Sequence, residues 1–103
     1  MNINYINEYE LEEIISTNNT ILIVKKEEDQ VFKMMKAQVS KLRNFYKDKF
    51  KYFVIDDEVA NKVLNLKFTI FPELVIMKKT SVVGCIRGFR KVDVPSKLIE
   101  LNF

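Results

Sequence analysis

Four short apolar runs, separated by longer segments with a different periodicity, constrain the fold of this chain most strongly. All four are rich in β-branched residues, which favour strands. They cover residues 21–24, 52–55, 74–77 and 81–86. Lys78, Lys79 and Thr80 separate the last two runs, which predicts a tight turn and an antiparallel hairpin. The sequence therefore predicts a sheet of about four strands.

The segments between these runs carry apolar residues at helical spacing. Helices are predicted over residues 5–15, 31–46 and 59–66, and a last one begins near Pro95 and continues to Leu101. Carboxylates precede the second and third helices, where they cap free N–H groups and favour the positive end of the helix dipole. These residues are Glu27, Glu28, Asp29, Asp56, Asp57 and Glu58. The order of elements predicts an α/β fold, with a mixed central sheet flanked by helices on both faces.

The length of 103 residues fits a single domain, which we assign to residues 1–103. No apolar segment is long enough to span a membrane, and the chain begins with polar and acidic residues instead of a basic and then apolar leader. We therefore expect a cytoplasmic protein with no membrane contact. The sequence leaves its oligomeric state open.

The chain has one cysteine, Cys85, and no histidine. An internal disulfide is therefore excluded, and the commonest general base and zinc ligand are absent. We expect Cys85 to pack as a small hydrophobic residue in the second hairpin strand, on one face with Val83 and Arg87. A mixed disulfide with a partner protein is the alternative role for this thiol.

Two other kinds of site have little support. The acidic groups could be imagined to hold Mg²⁺, but helix capping explains them more simply, so we expect no metal site and no cofactor. The net charge is +3 and the pI near 9.0, which is mildly basic. Arg87, Arg90 and Lys91, with Phe89 among them, are the best candidates for a nucleic-acid contact, yet three charges give only weak, salt-sensitive binding. We expect no nucleic-acid partner.

The order of elements, together with the segment from Phe71 to Lys79, resembles the thioredoxin-like superfamily. Pro72 stands where that family has a cis-proline before the third strand of its minimal fold, and Gly88 stands where a glycine faces that proline. The resemblance covers roughly residues 5–101. It implies the thioredoxin-like fold for this domain.

The same resemblance places the two cysteines of the family's Cys-x-x-Cys motif at Gln30 and Lys33. It also places the family's buried aspartate at Val24 and its nearby lysine at Tyr52 or Phe53. In the family, one thiolate attacks a substrate disulfide and the second cysteine releases it. An amide and an ammonium group can do neither, so the chain is expected to be a divergent member with no catalytic residue.

We therefore expect a redox-inactive module that binds a protein or peptide through the surface around the expected cis-proline. Strand addition of an extended peptide at such a surface needs no sulfur. The residues assigned to it are Gln30, Phe32, Lys33, Ile70, Phe71, Pro72, Arg87, Gly88 and Phe89. The alternative for Phe32 and Ile70 is that they face the core, because helical spacing from Phe32 leads to Met35 and Val39.

A second functional hypothesis is a weak or divergent thiol-disulfide oxidoreductase that acts in cell redox homeostasis. Cys85, or a cysteine of a partner, would then supply the sulfur. The sequence alone leaves both hypotheses open.

Overall fold

A computed structural model of the chain describes residues 3–103. Its elements follow one another as five strands and four helices with short connections. They are β1 (Asn4–Tyr5), α1 (Glu8–Thr17), β2 (Thr20–Lys25), α2 (Gln30–Tyr46), β3 (Lys51–Asp56), α3 (Asp57–Leu64), β4 (Glu73–Lys78), β5 (Ser81–Arg87) and α4 (Asp93–Asn102). A single 3₁₀ turn, Lys47–Lys49, follows α2.

The strands form one mixed sheet in the order β1-β3-β2-β4-β5. β1, β3 and β2 are parallel, whereas β4 runs antiparallel to β2 and to β5. The predicted fold class is confirmed, but the sheet has a fifth strand. Asn4 and Tyr5 form this additional strand, β1, which pairs with β3. Tyr5 therefore lies outside the first helix, contrary to the prediction. That helix begins only at Glu8, because Asn7 caps it and accepts a hydrogen bond from the Glu10 N–H.

The helices cover both faces of the sheet, as the sequence predicts. On one face α2 and α4 pack against alternate strand residues such as Ile21, Val54 and Ile76. On the other face α1 and α3 pack against Leu22, Val75 and their neighbours. The central strands β2 and β4 therefore bury side chains on both faces, which explains their continuous apolar sequences. No helix within residues 3–103 has the length and apolar character that a bilayer span requires.

The acidic groups before α2 and α3 have different roles. The Asp29 side chain accepts a hydrogen bond from the Phe32 N–H at 2.9 Å, so its predicted capping role is confirmed. Asp56 instead lies 2.9 Å from Lys25 Nζ and makes no capping hydrogen bond with its side chain. Asp57 and Glu58 occupy the first turn of α3, where negative charge favours the helix dipole.

The hairpin of β4 and β5 contains one irregularity. The register shifts between Ile76 and Met77, which leaves Val83 as an extra residue in β5. Val83 therefore packs against the core beneath α4, and the prediction that it shares a face with Cys85 is wrong. Gly84 lies under α4 as well, where any larger residue would meet the Leu98 side chain.

Candidate functional site

Pro72 and Gly88 face each other where the β4–β5 hairpin meets its flanking loops. The Gly88 N–H donates a hydrogen bond to the Pro72 carbonyl at 2.9 Å, which extends the β4–β5 ladder by one residue pair. Gly88 has φ +64°, a conformation that glycine adopts without steric cost. The Phe71–Pro72 peptide bond is cis. Pro72 and Gly88, which the sequence analysis assigns to the same site, therefore lie together in the structure.

Apolar side chains are exposed on both sides of this pair. Ile70 retains 48% of its surface and Phe89 37%. The Phe71 ring is half-buried, packs edge-on against Phe68 and has Lys26 Nζ 6.0 Å from its centre. We call the surface around the buried Pro72, formed by Ile70, Phe71, Arg87, Gly88 and Phe89, the proline surface.

Phe32 does not belong to the proline surface, which corrects the sequence prediction. Only 1% of it is exposed, because it lies on the face of α2 that packs with Met35 and Val39 against the sheet. The alternative that it faces the core is therefore what the structure shows. Gln30 and Lys33, in the first turn of α2, are exposed, and the Pro72 ring is buried.

Phe89 also lines a groove that the sequence analysis missed. The groove has a volume of about 580 Å³ and lies between α2 and the segment that precedes α4. Its α2 side consists of Met34, Ala37, Gln38 and Lys41. The Gln38 amide donates a hydrogen bond to the Arg90 carbonyl and so holds the segment after Phe89 against the helix. The signal in the sequence was the helical spacing of Met34, Gln38 and Lys41.

A buried carboxylate beside Pro72 is the second feature that sequence reasoning missed. Glu73, the first residue of β4, is only 2% exposed and lies across from Val24 in the ladder. Burial raises the pKa of the Glu73 carboxyl, while Arg87, whose Nε lies 3.9 Å away, partly opposes that increase. Val24 itself is fully buried. The signal in the sequence was an acidic residue directly before the apolar run of residues 74–77.

Cys85 is exposed, so the prediction that it packs as a buried hydrophobic residue is wrong. It lies in β5, which is an edge strand of the sheet that residues 3–103 form. Its partner is Val75, three residues from the Pro72–Gly88 pair, or about 10 Å along the strand. Partial desolvation and the Glu73 carboxylate raise the pKa of the Cys85 thiol, against the opposing effect of Arg87. The thiol is therefore less nucleophilic at neutral pH than a free cysteine.

Within the part of the chain that the structure describes, no three acidic or cysteine side chains are close enough to hold a metal ion. The acidic residues near the proline surface have other contacts. Asp29 caps α2, Glu28 accepts a hydrogen bond from the Tyr5 hydroxyl at 2.7 Å, and Asp56 pairs with Lys25. Arg87 and Lys26 place positive charge at the edge of the proline surface, and Asp57 and Glu58 line a small pocket beside Phe71.

Solved structures that resemble the chain over nearly its whole length include the following three. Mitochondrial thioredoxin 3 from Saccharomyces cerevisiae, in its oxidised form, has a TM-score of 0.77 and 22% identity, over 95% of this chain and 94% of that one. A second match is a chain from a structure that describes the thiol resolving mechanism in yeast mitochondrial 1-Cys peroxiredoxin via glutathione/thioredoxin systems. It has a TM-score of 0.74 and 20% identity, over 95% of this chain and 94% of that one. A designed protein has a TM-score of 0.75 and 18% identity, over 95% of this chain and 89% of that one.

Neither a protein-family model nor a curated protein sequence matches the chain. Identities near 20% support a shared fold, whereas the chemistry of a site depends on its own residues. The comparisons therefore bear on architecture, and the function has to be argued from the side chains.

Proposed function

From the thioredoxin-like fold of this chain, we propose that it is a redox-inactive domain that binds an extended segment of a partner protein at the proline surface. The observation that carries the proposal is the exposure of Ile70 and Phe89 on either side of the Pro72–Gly88 pair. Exposed apolar groups around a rigid backbone feature are typical of a binding surface. The partner is expected in the cytoplasm.

The composition of this surface favours a partner with apolar side chains and some negative charge. Arg87 and Lys26 lie at its edge, and the Lys26 ammonium stands over the Phe71 ring. An extended peptide could bond to the backbone near Phe71 while its side chains contact Ile70 and Phe89. The groove against α2 would take a further apolar residue of the same peptide.

The chemistry of the α2 N-terminus supports the absence of redox activity. Gln30 and Lys33 occupy the first turn and are both exposed. Neither side chain can attack or release a sulfur atom. Cys85, three ladder positions from Pro72, has a thiol whose pKa is raised instead of lowered.

The test measures binding of the purified domain to an array of extended peptides of varied sequence. Ile70→Glu and Phe89→Glu each place a carboxylate on the proline surface and should weaken binding at least about tenfold. Phe45→Glu is the matched control, because Phe45 is 75% exposed on α2 and is not part of this surface. Equal binding by all three variants and the wild type, or no binding of any peptide, would contradict the proposal.

The exposure of Cys85 favours one competing function, a weak thiol-disulfide oxidoreductase. Reduction of insulin disulfides with dithiothreitol as electron donor separates the two hypotheses. We expect no acceleration by the wild-type domain. Acceleration that disappears in Cys85→Ser would replace the binding proposal by the oxidoreductase.

A further inference from the structure

Lysines from two distant segments of the chain meet at the end of the sheet that lies opposite the proline surface, about 20 Å away along β4. Asn19 joins the two segments. Its carbonyl accepts a hydrogen bond from the Lys51 N–H at 2.9 Å, and its side-chain Oδ1 accepts one from the Lys79 N–H at 3.0 Å. The lysines brought together are all exposed, and we call them the basic surface: Lys47, Lys49, Lys51, Lys78 and Lys79.

The charge of the basic surface is not neutralised by neighbouring acids. Within residues 3–103, none of its five lysines forms an ion pair with a carboxylate. The two grooves beside it add Arg43, Asp48 and Glu100, so that six cationic residues stand against two acidic ones. The whole chain has 17 and 14, so the remaining 11 cationic and 12 acidic residues nearly cancel. The net positive charge is therefore concentrated at this surface.

The two grooves adjoin each other at Phe50, which lines both. One has a volume of about 580 Å³ and includes Lys49 and Phe103, and the other has a volume of about 520 Å³ and includes Lys47 and Lys51. An extended polymer lying along both grooves would pass three lysines and an apolar wall.

Aromatic rings are exposed between these charges. Phe103 is 45% exposed, packs edge-on against Phe50 at 5.0 Å between ring centres, and has Lys78 Nζ 5.8 Å from its own centre. Phe45 is 75% exposed and packs against Tyr46, which lines the larger groove. Proteins that bind single-stranded nucleic acid combine these two elements, since the bases stack on aromatic rings while cations contact the phosphates.

We propose that the basic surface binds single-stranded nucleic acid, with phosphates at the lysines and bases stacked on Phe103 and Phe45. A duplex fits less well, because its bases are already stacked on one another, and an acidic peptide has no bases to offer. The expectation of no nucleic-acid partner rested on three charges near Phe89, whereas the fold gathers five lysines elsewhere. This site is separate from the proline surface and does not depend on the function proposed there.

The first experiment measures binding of fluorescein-labelled oligo(dT), about 12 nucleotides long, by fluorescence anisotropy. With about five phosphate contacts, the Kd should rise about a hundredfold between about 50 and 200 mM salt. At the lower salt concentration, the duplex of the same length and a poly-glutamate peptide of equal charge should bind at least about tenfold more weakly. No binding of oligo(dT) at low salt, or equal binding of the duplex or of poly-glutamate, would overturn the proposal.

The second experiment locates the site with charge reversals. Lys49→Glu and Lys51→Glu should each raise the Kd for oligo(dT) at least about tenfold at low salt. Lys62→Glu is the matched control, because Lys62 is an exposed lysine of α3, on the other face of the sheet. It makes the same change in net charge and should alter the Kd less than about threefold. Equal effects of the three variants would refute the assignment to the basic surface.

The third experiment tests base stacking. Phe103→Ala should weaken oligo(dT) binding about tenfold, whereas Tyr9→Ala, at a 75% exposed ring on α1, should leave it unchanged. Wild-type affinity in Phe103→Ala would show a purely electrostatic contact and would contradict the proposal. The salt dependence and the comparison of probes need no variant, so they remain decisive if a substitution prevents folding.

Discussion

The close contact between β5 and α4 gives a sharp prediction at Gly84. A methyl group added there would overlap Leu98 Cδ2 and lie 2.9 Å from Cγ and 3.4 Å from Cδ1. Alanine otherwise suits a strand slightly better than glycine does. The decrease in the free energy of unfolding caused by Gly84→Ala therefore measures the steric clash. We expect a decrease of about 1 to 3 kcal/mol, the usual cost of overpacking.

A double-mutant cycle isolates that clash. In a Leu98→Ala background the methyl group of Gly84→Ala has room, so the double variant should be more stable than the sum of the two single losses predicts, by at least about 1 kcal/mol. The measurement is urea unfolding of the four proteins, followed by circular dichroism. Strict additivity would refute the packing of α4 on Gly84.

Gly88→Ala is the matched control for this cycle. Its added methyl group would meet only Arg90 Nη1, at 4.0 Å, but its φ of +64° disfavours a side chain. The expected loss of about 1 to 2 kcal/mol comes from the backbone and should not change in the Leu98→Ala background.

Two further predictions concern the core and its buried acid. Leu22→Ala and Val75→Ala, both in central strands and 0% exposed, should each cost roughly 2 to 5 kcal/mol in urea unfolding, and a loss under about half a kcal/mol would contradict their place in the core. The pKa of Glu73 in the folded domain is raised above its unfolded value near 4.5. Glu73 therefore makes its full contribution to the free energy of unfolding below pH 4.5, and this contribution is lost as the pH rises through the folded pKa. Glu73→Gln should therefore be more stable than the wild type at pH 7, and its free energy of unfolding should depend less on pH above 4.5. An unchanged pH dependence would contradict the burial of an ionisable Glu73.

The main elements of the fold could be predicted because their sequence periods are strong. The β2 and β4 runs are apolar at every position, which is the pattern of strands covered on both faces. β1 was missed because two residues are too few to show a sequence periodicity, and its pairing with Phe53 and Val54 depends on tertiary contacts. The bulge at Val83 was missed for a related reason, since one inserted residue changes the face of a side chain without changing local composition.

The site was harder to predict than the sheet. Gly88 and Pro72 could be paired from the sequence because a hairpin brings its two ends together. Phe32 was assigned to the surface as well as to the core, and only the rotation of α2 against the sheet decides between them. Cys85 was expected to be buried, yet an edge strand leaves it without cover, and a sequence does not reveal which strand lies at an edge.

Glu73 connects the fold to the surface that we propose for binding. A buried carboxylate destabilises a domain unless a partner compensates its charge. Arg87, directly opposite in the ladder, offsets part of that cost, and the Arg87 side chain is 69% exposed beside Gly88. The buried carboxylate therefore attracts a cation that faces solvent at the proline surface. The same carboxylate helps to raise the pKa of the Cys85 thiol, and its pairing with Arg87 ties the cationic edge of the surface to the rigid end of β4.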